Sequence, residues 1–473
     1  MLILPEDEKY LENATFDEIQ VGDSASIERT LTMEDIKLFA IMSGDVNPAH
    51  LDEEYAEKSM FHKIIAHGMW GGALISTVLG AKYPGPGTIY LSQSLKFSRP
   101  VTLGDTITVK LTALSKDEES HRVKFECVCI NQHDKAVIKG EAEVIAPTDK
   151  IRRQQVPLPK IRLADRYAGY QRLISMAEPL PAIRMGVVHP VKANSLHGAV
   201  HAAEAGLIEP VLIGSETKIR ALAEQENLDI SQYRLVNTEH SQEAAHKGVE
   251  LVRQLELDSL MRGSLSLQEM MHAVVKSDTG LRTARQMSHV QVLDVPSYSR
   301  PLFFTDTALN INPSLNVKRD IVQNAIDLAK ILGVEVPKVA IVSALETIDP
   351  ILPTTLDAAA LCKMAERRQI TGGIIDGPLA FDNVISKDAA EAKDIDSEIA
   401  GEADIILVPN AEAGHLLAKQ IELLADGQAA NIVMGARVPI ILPGRADSQL
   451  SQIASCAMAV LVAHHRLNNQ QTV

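Results

Sequence analysis

The sequence predicts a multidomain chain: an α+β unit followed by a larger α/β region built as two lobes. Three observations carry this. The chain has 473 residues, enough for roughly three domains of about 150 residues each. Before residue 147, one very apolar helix accompanies strands in which apolar and polar residues alternate. Beyond Met185, short continuous apolar runs alternate with helical stretches, the rhythm of parallel sheets covered on both faces.

Composition narrows the class. Hydrophobic residues make up 46% and charged residues 23%, so several cores can be buried and wholesale disorder is excluded. The net charge of −15 repels polyanions, so neither nucleic acid nor an anionic membrane is an expected partner, and any anionic ligand needs a local basic cluster. The 4 cysteines, at 127, 129, 362 and 456, are too few for a disulfide framework and suit a reducing compartment. Met1–Glu8 is acidic and lacks the basic and apolar stretches of a secretion signal. Cytoplasm is therefore the expected location. The uncharged run Gly68–Ala81 falls short of the roughly 20 residues that span a bilayer and is expected to be a helix buried inside the protein.

In residues 1–147 the expected order is a helix over Met33–Met42, a loop, the apolar helix, then strands. Ile107, Val109, Leu111 and Ala113 repeat with a period of two, as do Val123, Phe125, Cys127 and Cys129, and then Ala136, Ile138, Ala142 and Val144. Asn131–Asp134 is a hairpin turn signal between the last two. A sheet wrapped around the apolar helix follows, because a helix apolar all round must be covered. Residues 148–184 carry Lys150, Arg152, Arg153, Lys160, Arg162, Arg166 and Arg172 among Pro157, Pro159, Pro179 and Pro181, and are expected to be a basic linker with one short helix. From 185 to 473, strands are expected at 187–188, 210–214, 259–261, 290–293, 339–342, 374–375, 405–408 and 439–442, with helices at 195–205, 317–332, 356–368 and 452–465. So long a region predicts two lobes with a cleft, lobe one over about 185–287 plus 445–473 and lobe two over about 288–444.

Two constellations carry chemistry. In the loop Ser43-Gly44-Asp45-Val46-Asn47-Pro48-Ala49-His50, Gly44 suits a left-handed helix cap and Pro48 pushes Asn47 out of the helical region. Asp45 and His50 can then converge on one water, removing its proton and returning one to substrate, as addition of water across an activated double bond requires. Gly68 opens the apolar helix, where its N–H can stabilise a developing enolate oxygen. A metal reading of His50, His62 and His67 lacks a close helical pair or a cysteine partner, so no metal is expected.

The run Ser43-Gly44-Asp45-x-Asn47-Pro48-x-His50-x-Asp52, then Ile65-Ala66-His67-Gly68-Met69, then Tyr90–Phe97 with Pro100, Val101, Gly104 and Asp105, resembles the MaoC-like (R)-specific enoyl-CoA hydratases of the hot-dog fold. The resemblance spans residues 15–147. It implies that Asp45 and His50 activate water, that Gly68 N–H binds the thioester carbonyl, that Asn47 belongs to the substrate-binding loop and that Ser76 lies in the acyl pocket. It also implies a homodimer or higher even oligomer, because family members build the site between two hot-dog units.

In the second region, basic and amide side chains follow apolar strands: Arg262-Gly263, the loop Asp278–Arg285, Thr305–Pro313 and Pro443–Ser448. Ligands of doubly wound sheets bind outside the carboxyl ends of strands, and arginines there suit phosphate. No Gly-x-Gly-x-x-Gly opens a helix after a strand, Gly372–Gly377 has the wrong spacing, and no P-loop occurs, so no tightly bound cofactor is expected.

Val188-His189-Pro190, Ala202–Gly214, Leu260–Ser264, Thr307–Pro313, Ile375–Leu379 and Arg445–Ser448 resemble the phosphate acetyl/butyryltransferases, over about residues 185–468. That resemblance implies a two-lobed α/β phosphate acyltransferase whose C-terminal helix returns to the first lobe. Its substrates are acyl-CoA, CoA, phosphate and acyl phosphate. Arg282, Arg285, Asn310 and Arg445 are expected at phosphate or CoA, and Asp447 as the base for the thiol. One departure stands out: Gly444 occupies the position where the family usually has serine, so any hydroxyl contact is lost. His415 similarly stands where the wider family often has asparagine. These departures keep open a second reading, an acyl-CoA-binding scaffold with an inactive transferase site, or a fusion in which one activity survives.

Overall fold

The computed structural model describes residues 10–156, 161, 163 and 167–470. Met1–Glu8 and the linker residues Pro157, Pro159, Lys160, Arg162 and Arg166 lie outside the described residues. The chain divides into two units, Met1–Leu163 and Ala164–Val473.

The first unit follows its alternation. Antiparallel strands Ser24–Thr30, Thr106–Asp117, Arg122–Asn131, Ala136–Ile145 and Ile89–Gln93 lie side by side in that order, and Lys96–Phe97 pairs with Ala136–Ile145 as well. Ile107, Val109, Leu111, Val123, Phe125, Cys127 and Cys129 all point into one core, together with Phe16, Ile19 and Ile36. Burial pushes the Cys127 thiol up to about 11 and that of Cys129 to about 12, so both act as small apolar side chains.

The apolar helix, Gly68–Thr77, is only half covered within this chain. Trp70, Gly71 and Ile75 are buried, whereas Met69, Ala73 and Ser76 face outward. This corrects the expectation of a fully buried helix, because a single curved sheet can cover only one side of the cylinder laid against it.

In the second unit all eight expected runs are strands, but not in two separate sheets. One 11-stranded sheet runs through the whole region. Arg234–Asn237, Ile208–Gly214, Ile183–Val188, Ser259–Arg262 and Ile440–Ile441 are parallel to one another. Leu302–Thr305, Ile405–Leu407, Lys338–Val342 and Ile374–Leu379 form a second parallel set. Between the sets, Gln428–Met434 and Ser288–Asp294 pair antiparallel with each other and with their outer neighbours. The two sets therefore run in opposite directions. The expected lobes survive as the two halves of one sheet, because backbone hydrogen bonds continue across the middle, where purely parallel pairing had been expected.

The region 148–184 is not a solvated linker throughout. Arg152–Gln154 pairs antiparallel with Tyr10–Glu12 in the first unit. Helix Ala168–Ala177 buries Tyr170, Leu173 and Ala177 in the core of the second, and the strand Ile183–Val188 begins before residue 185. Those three residues form one apolar stripe that the surrounding charge and prolines obscure. The C-terminal helix, Gln449–Gln470, packs against Ala168–Ala177, Ala193–Glu204 and the central strand Gln428–Met434. Among the described residues no helix is long and apolar enough to cross a membrane.

Asn13 ties the beginning of the first unit to its end. It is buried, its Nδ2 donates to Asp149 O at 2.8 Å, and its Oδ1 accepts from Ile151 N–H at 2.8 Å. Asn13→Ala leaves both partners unpaired and is expected to cost about 1–3 kcal/mol, seen as a lower denaturant midpoint for this unit.

Two candidate active sites

The first site is assembled by capping. Thr32 and Asp35 form a capping box that starts helix Met33–Ser43, and Gly44 ends it in the left-handed conformation at φ 76°. The chain then turns sharply. Asp45 Oδ1 accepts the Asn47 N–H, and Asn47 Oδ1 accepts the Ala49 N–H as the cap of the short helix Pro48–Leu51. Asn47 thus builds the loop, and its carbonyl oxygen is spent on that cap.

His50 is buried, and its Nδ1 lies 2.8 Å from Ile65 O. A carbonyl can only accept, so Nδ1 carries the hydrogen and the neutral ring keeps Nε2 as its proton acceptor. His67 is buried beside it, with ring centroids 3.9 Å apart, and its Nε2–H donates to Asp45 O at 2.9 Å. A carboxylate oxygen of Asp45 and one ring nitrogen from each histidine lie within 4.8 Å of one another. The structure thus brings Asp45 and His50 together and adds His67. His62 stands apart, bonded to Glu57 O. The His50 and His67 rings are tilted 35° to each other.

Gly68 is the first residue of its helix and is exposed, so its N–H has no intrahelical partner. Phe97 packs against it, 3.2 Å from where a Cβ would stand. Ser76 is exposed, eight positions further along the same helix, or about 12 Å at 1.5 Å per residue.

The second site lies on one face of the central antiparallel strands. His289, Gln291 and Leu293 share that face with their partners Val433, Asn431 and Ala429, while Val290, Val292, Ala430 and Ile432 enter the core on the other side. His289, Gln291 and Asn431 are buried polar residues in mid-strand. Asn431 Nδ2 donates to Asp447 Oδ2 at 3.1 Å, and Gly444 N–H donates to the same oxygen at 2.8 Å. A Cβ at Gly444 would stand 2.5 Å from Asp447 Oδ1. The glycine is thus fitted to this placement of the carboxylate.

Arg262 ends the strand Ser259–Arg262 and donates to Pro443 O, while its Nε is buried without a partner. Burial lowers its pKa, which Asp447 opposes and Arg445 reinforces. Asp306 holds the next loop: Oδ1 accepts the N–H groups of Ala308 and Leu309, and Oδ2 accepts Asn310 Nδ2 at 2.6 Å. Burial also pushes the His289 imidazole below its ordinary value; Asp306 and Asp447 work against this, and Arg262 and His415 add to it. Side chains from four separate segments therefore bear on this one ring.

The arginines expected at phosphate divide. Arg445 is exposed and adjoins Arg262 and Asp447 electrostatically. Arg282 is exposed on a segment whose backbone bridges to Ala436. Arg285 is half-exposed, and its guanidinium is ion-paired with Asp327 on helix Leu315–Ile331. The Asn310 amide bonds Asp306, Met287 O and Gln286 within the loop. Sequence reasoning singled out neither His289, one residue before the run read at 290–293, nor Asn431, on a strand that the apolar runs did not give.

The two units thus carry one constellation of a carboxylate and two imidazoles beside a helix N-terminus, and one of arginines and carboxylates around a buried imidazole. A family model described as MaoC like domain matches residues 18–132, and one described as phosphate acetyl/butaryl transferase matches 239–460. The phosphate acetyltransferase of Rhizobium meliloti is 52% identical over 298 residues, covering 63% of this chain and 94% of that protein. The chain belongs to the phosphate acetyl/butyryltransferase family and carries a MaoC-like hot-dog domain ahead of it. Among solved structures, a branched-chain phosphotransacylase from Enterococcus faecalis V583 matches with 26% identity and a TM-score of 0.53, over 60% of this chain and 99% of its own. The R-hydratase PhaJ1 from Pseudomonas aeruginosa is 44% identical, with a TM-score of 0.32, over 33% of this chain and 99% of its own.

Because His289 is kept neutral in the fold, acid favours the unfolded chain. Above its ordinary value of 6.5 the ring is neutral in both states; below that, the unfolded chain takes the proton first and stability falls. The thermal midpoint of the wild type is expected to drop more between pH 7 and pH 5 than that of His289→Gln, as calorimetry at a series of pH values measures.

Proposed function

We propose that this chain is a bifunctional acyl-CoA enzyme. Its N-terminal domain reversibly hydrates trans-2-enoyl-CoA to (R)-3-hydroxyacyl-CoA, and its C-terminal domain moves a short acyl group between CoA and inorganic phosphate. The observation that carries the first reaction is the approach of Asp45 to His50 on a loop whose hydrogen bonds leave His50 Nε2 as an acceptor. Water held by the two loses a proton as its oxygen bonds the β-carbon of the enoyl thioester. Electrons move onto the thioester oxygen, which Gly68 N–H stabilises, and the α-carbon then takes a proton. His67 acts through the others by tethering Asp45 O and packing on His50.

For the second reaction, the CoA thiol gives its proton to Asp447 and attacks the carbonyl of an acyl phosphate. Arg262 and Arg445 supply positive charge for phosphate or CoA, and Arg282 is an exposed third cation for the longer CoA chain. The name of the Rhizobium relative supports acetyl as one acyl group. A homodimer, or a higher even oligomer, completes the first site. The open face of Gly68–Thr77 and the exposed edge strand Ile89–Gln93, with Ile89, Tyr90 and Leu91 turned outward, support this. Ser76 on that open face then lies against the acyl chain. An even assembly is the expected result of light scattering.

With crotonyl-CoA, absorbance of the conjugated thioester is expected to fall on adding the protein and to stay constant with Asp45→Asn; an equal rate from that variant would sink the hydratase reading. Release of CoA from acetyl-CoA or butyryl-CoA is expected only with phosphate present. Binding of CoA without such release would favour the scaffold reading. Gly444→Ser, which restores the family's usual residue, is expected to lower the transfer rate because its Cβ displaces the Asp447 carboxylate.

A further inference from the structure

The hydrogen bonding of His289 fixes which of its nitrogens carries the hydrogen. Nδ1 lies 2.7 Å from Thr307 Oγ1. Thr307 is buried, and among the described residues its hydroxyl meets no other polar partner. Were Nδ1 protonated, the hydroxyl hydrogen would be sealed in with nothing to bond. Buried donors are rarely left so. The hydroxyl therefore donates to Nδ1, and the single hydrogen of the neutral ring sits on Nε2.

Among the described residues Nε2 has no hydrogen-bond partner, yet it is not one of the sealed polar atoms that lack one. It belongs to the polar face that also carries Gln291 and Asn431, and the charged groups bearing on the ring are Asp306, Asp447, Arg262 and His415. A neutral imidazole with its N–H directed at such a site is a fixed hydrogen-bond donor. Its burial disfavours the cation.

We propose that His289 Nε2–H is the donor that stabilises the oxyanion formed at the acyl carbonyl, and that Thr307 is the positioning residue that keeps the hydrogen on that nitrogen. The assignment rests on the transferase reading. As the CoA sulfur bonds the carbonyl carbon, the π electron pair moves onto oxygen, where Nε2–H meets it. Collapse restores the carbonyl, breaks the carbon–oxygen bond to phosphate and leaves that pair on the phosphate oxygen, while the thiol proton rests on Asp447. Nothing is oxidised or reduced. Donors placed where charge develops act chiefly on kcat.

The experiment compares kcat and KM for CoA with acetyl phosphate in the full chain for His289→Gln, His289→Asn, Thr307→Ser and Thr307→Val. A glutamine amide reaches the position of Nε2, whereas asparagine reaches only that of Nδ1, and the two disturb packing alike. His289→Asn is expected to lose about 100-fold in kcat, the scale of one lost oxyanion donor, with KM changed less than about threefold, and His289→Gln to recover at least about tenfold of that loss. Thr307→Val is expected to fall with Asn, and Thr307→Ser to match the wild type. Equal rates for His289→Asn and His289→Gln, or a Thr307→Val rate like the wild type, would overturn the assignment while leaving the transferase reading intact. A wild type without phosphate-dependent transfer would overturn both.

Discussion

The antiparallel pairing of Ser288–Asp294 with Gln428–Met434 is the constraint on which the second unit depends. It joins two parallel sets that run in opposite directions, so their carboxyl ends lie at opposite edges of one sheet. Loops following those strands meet only at the middle. There Arg262 and the Gly444–Asp447 turn come from one set and Asp306–Asn310 from the other, and all bear on His289. The pairing also settles the two faces. Val290, Val292, Ala430 and Ile432 are committed to the core beneath the C-terminal helix, so their neighbours His289, Gln291 and Asn431 must look the other way. Buried amides and imidazoles are tolerated there because nearly every one has a partner.

The first unit solves a related problem with backbone carbonyls. Two imidazoles in contact would be poorly defined if free to rotate or exchange hydrogens. Ile65 O holds one and Asp45 O the other, which fixes both rings and both tautomers. The same bond to Asp45 O ties the loop bearing the carboxylate to the residue just before Gly68. Carboxylate, imidazole and helix N-terminus thus belong to one hydrogen-bonded unit rather than three independent elements.

Gly444 shows how a departure from a family pattern reads differently in three dimensions. In the sequence it is a missing hydroxyl. In the structure it is space, filled by the carboxylate of Asp447, whose position its own backbone N–H helps to fix. Arg285 and Asn310 teach the converse. Each has the right chemistry for phosphate, and each is already committed to a neighbour, Asp327 for the arginine and Asp306 for the amide. A charge in a sequence carries no sign of what neutralises it.

The sequence by itself determined the local outcomes. Period-two alternation set the strands around Val109, Cys127 and Ala142, continuous apolar runs set eight of the 11 strands of the second unit's sheet, and Gly44 with Pro48 set the turn bearing Asp45. These follow from interactions within a few residues of chain, which a linear pattern records. Tertiary structure alone decided which strands adjoin, that two lobes share one sheet, that the helix Ala168–Ala177 belongs to a core, and that His289 lies on the polar face with Gln291 and Asn431. Those outcomes depend on hydrogen bonds and contacts between segments that lie apart in the chain, whose pairing no single segment encodes.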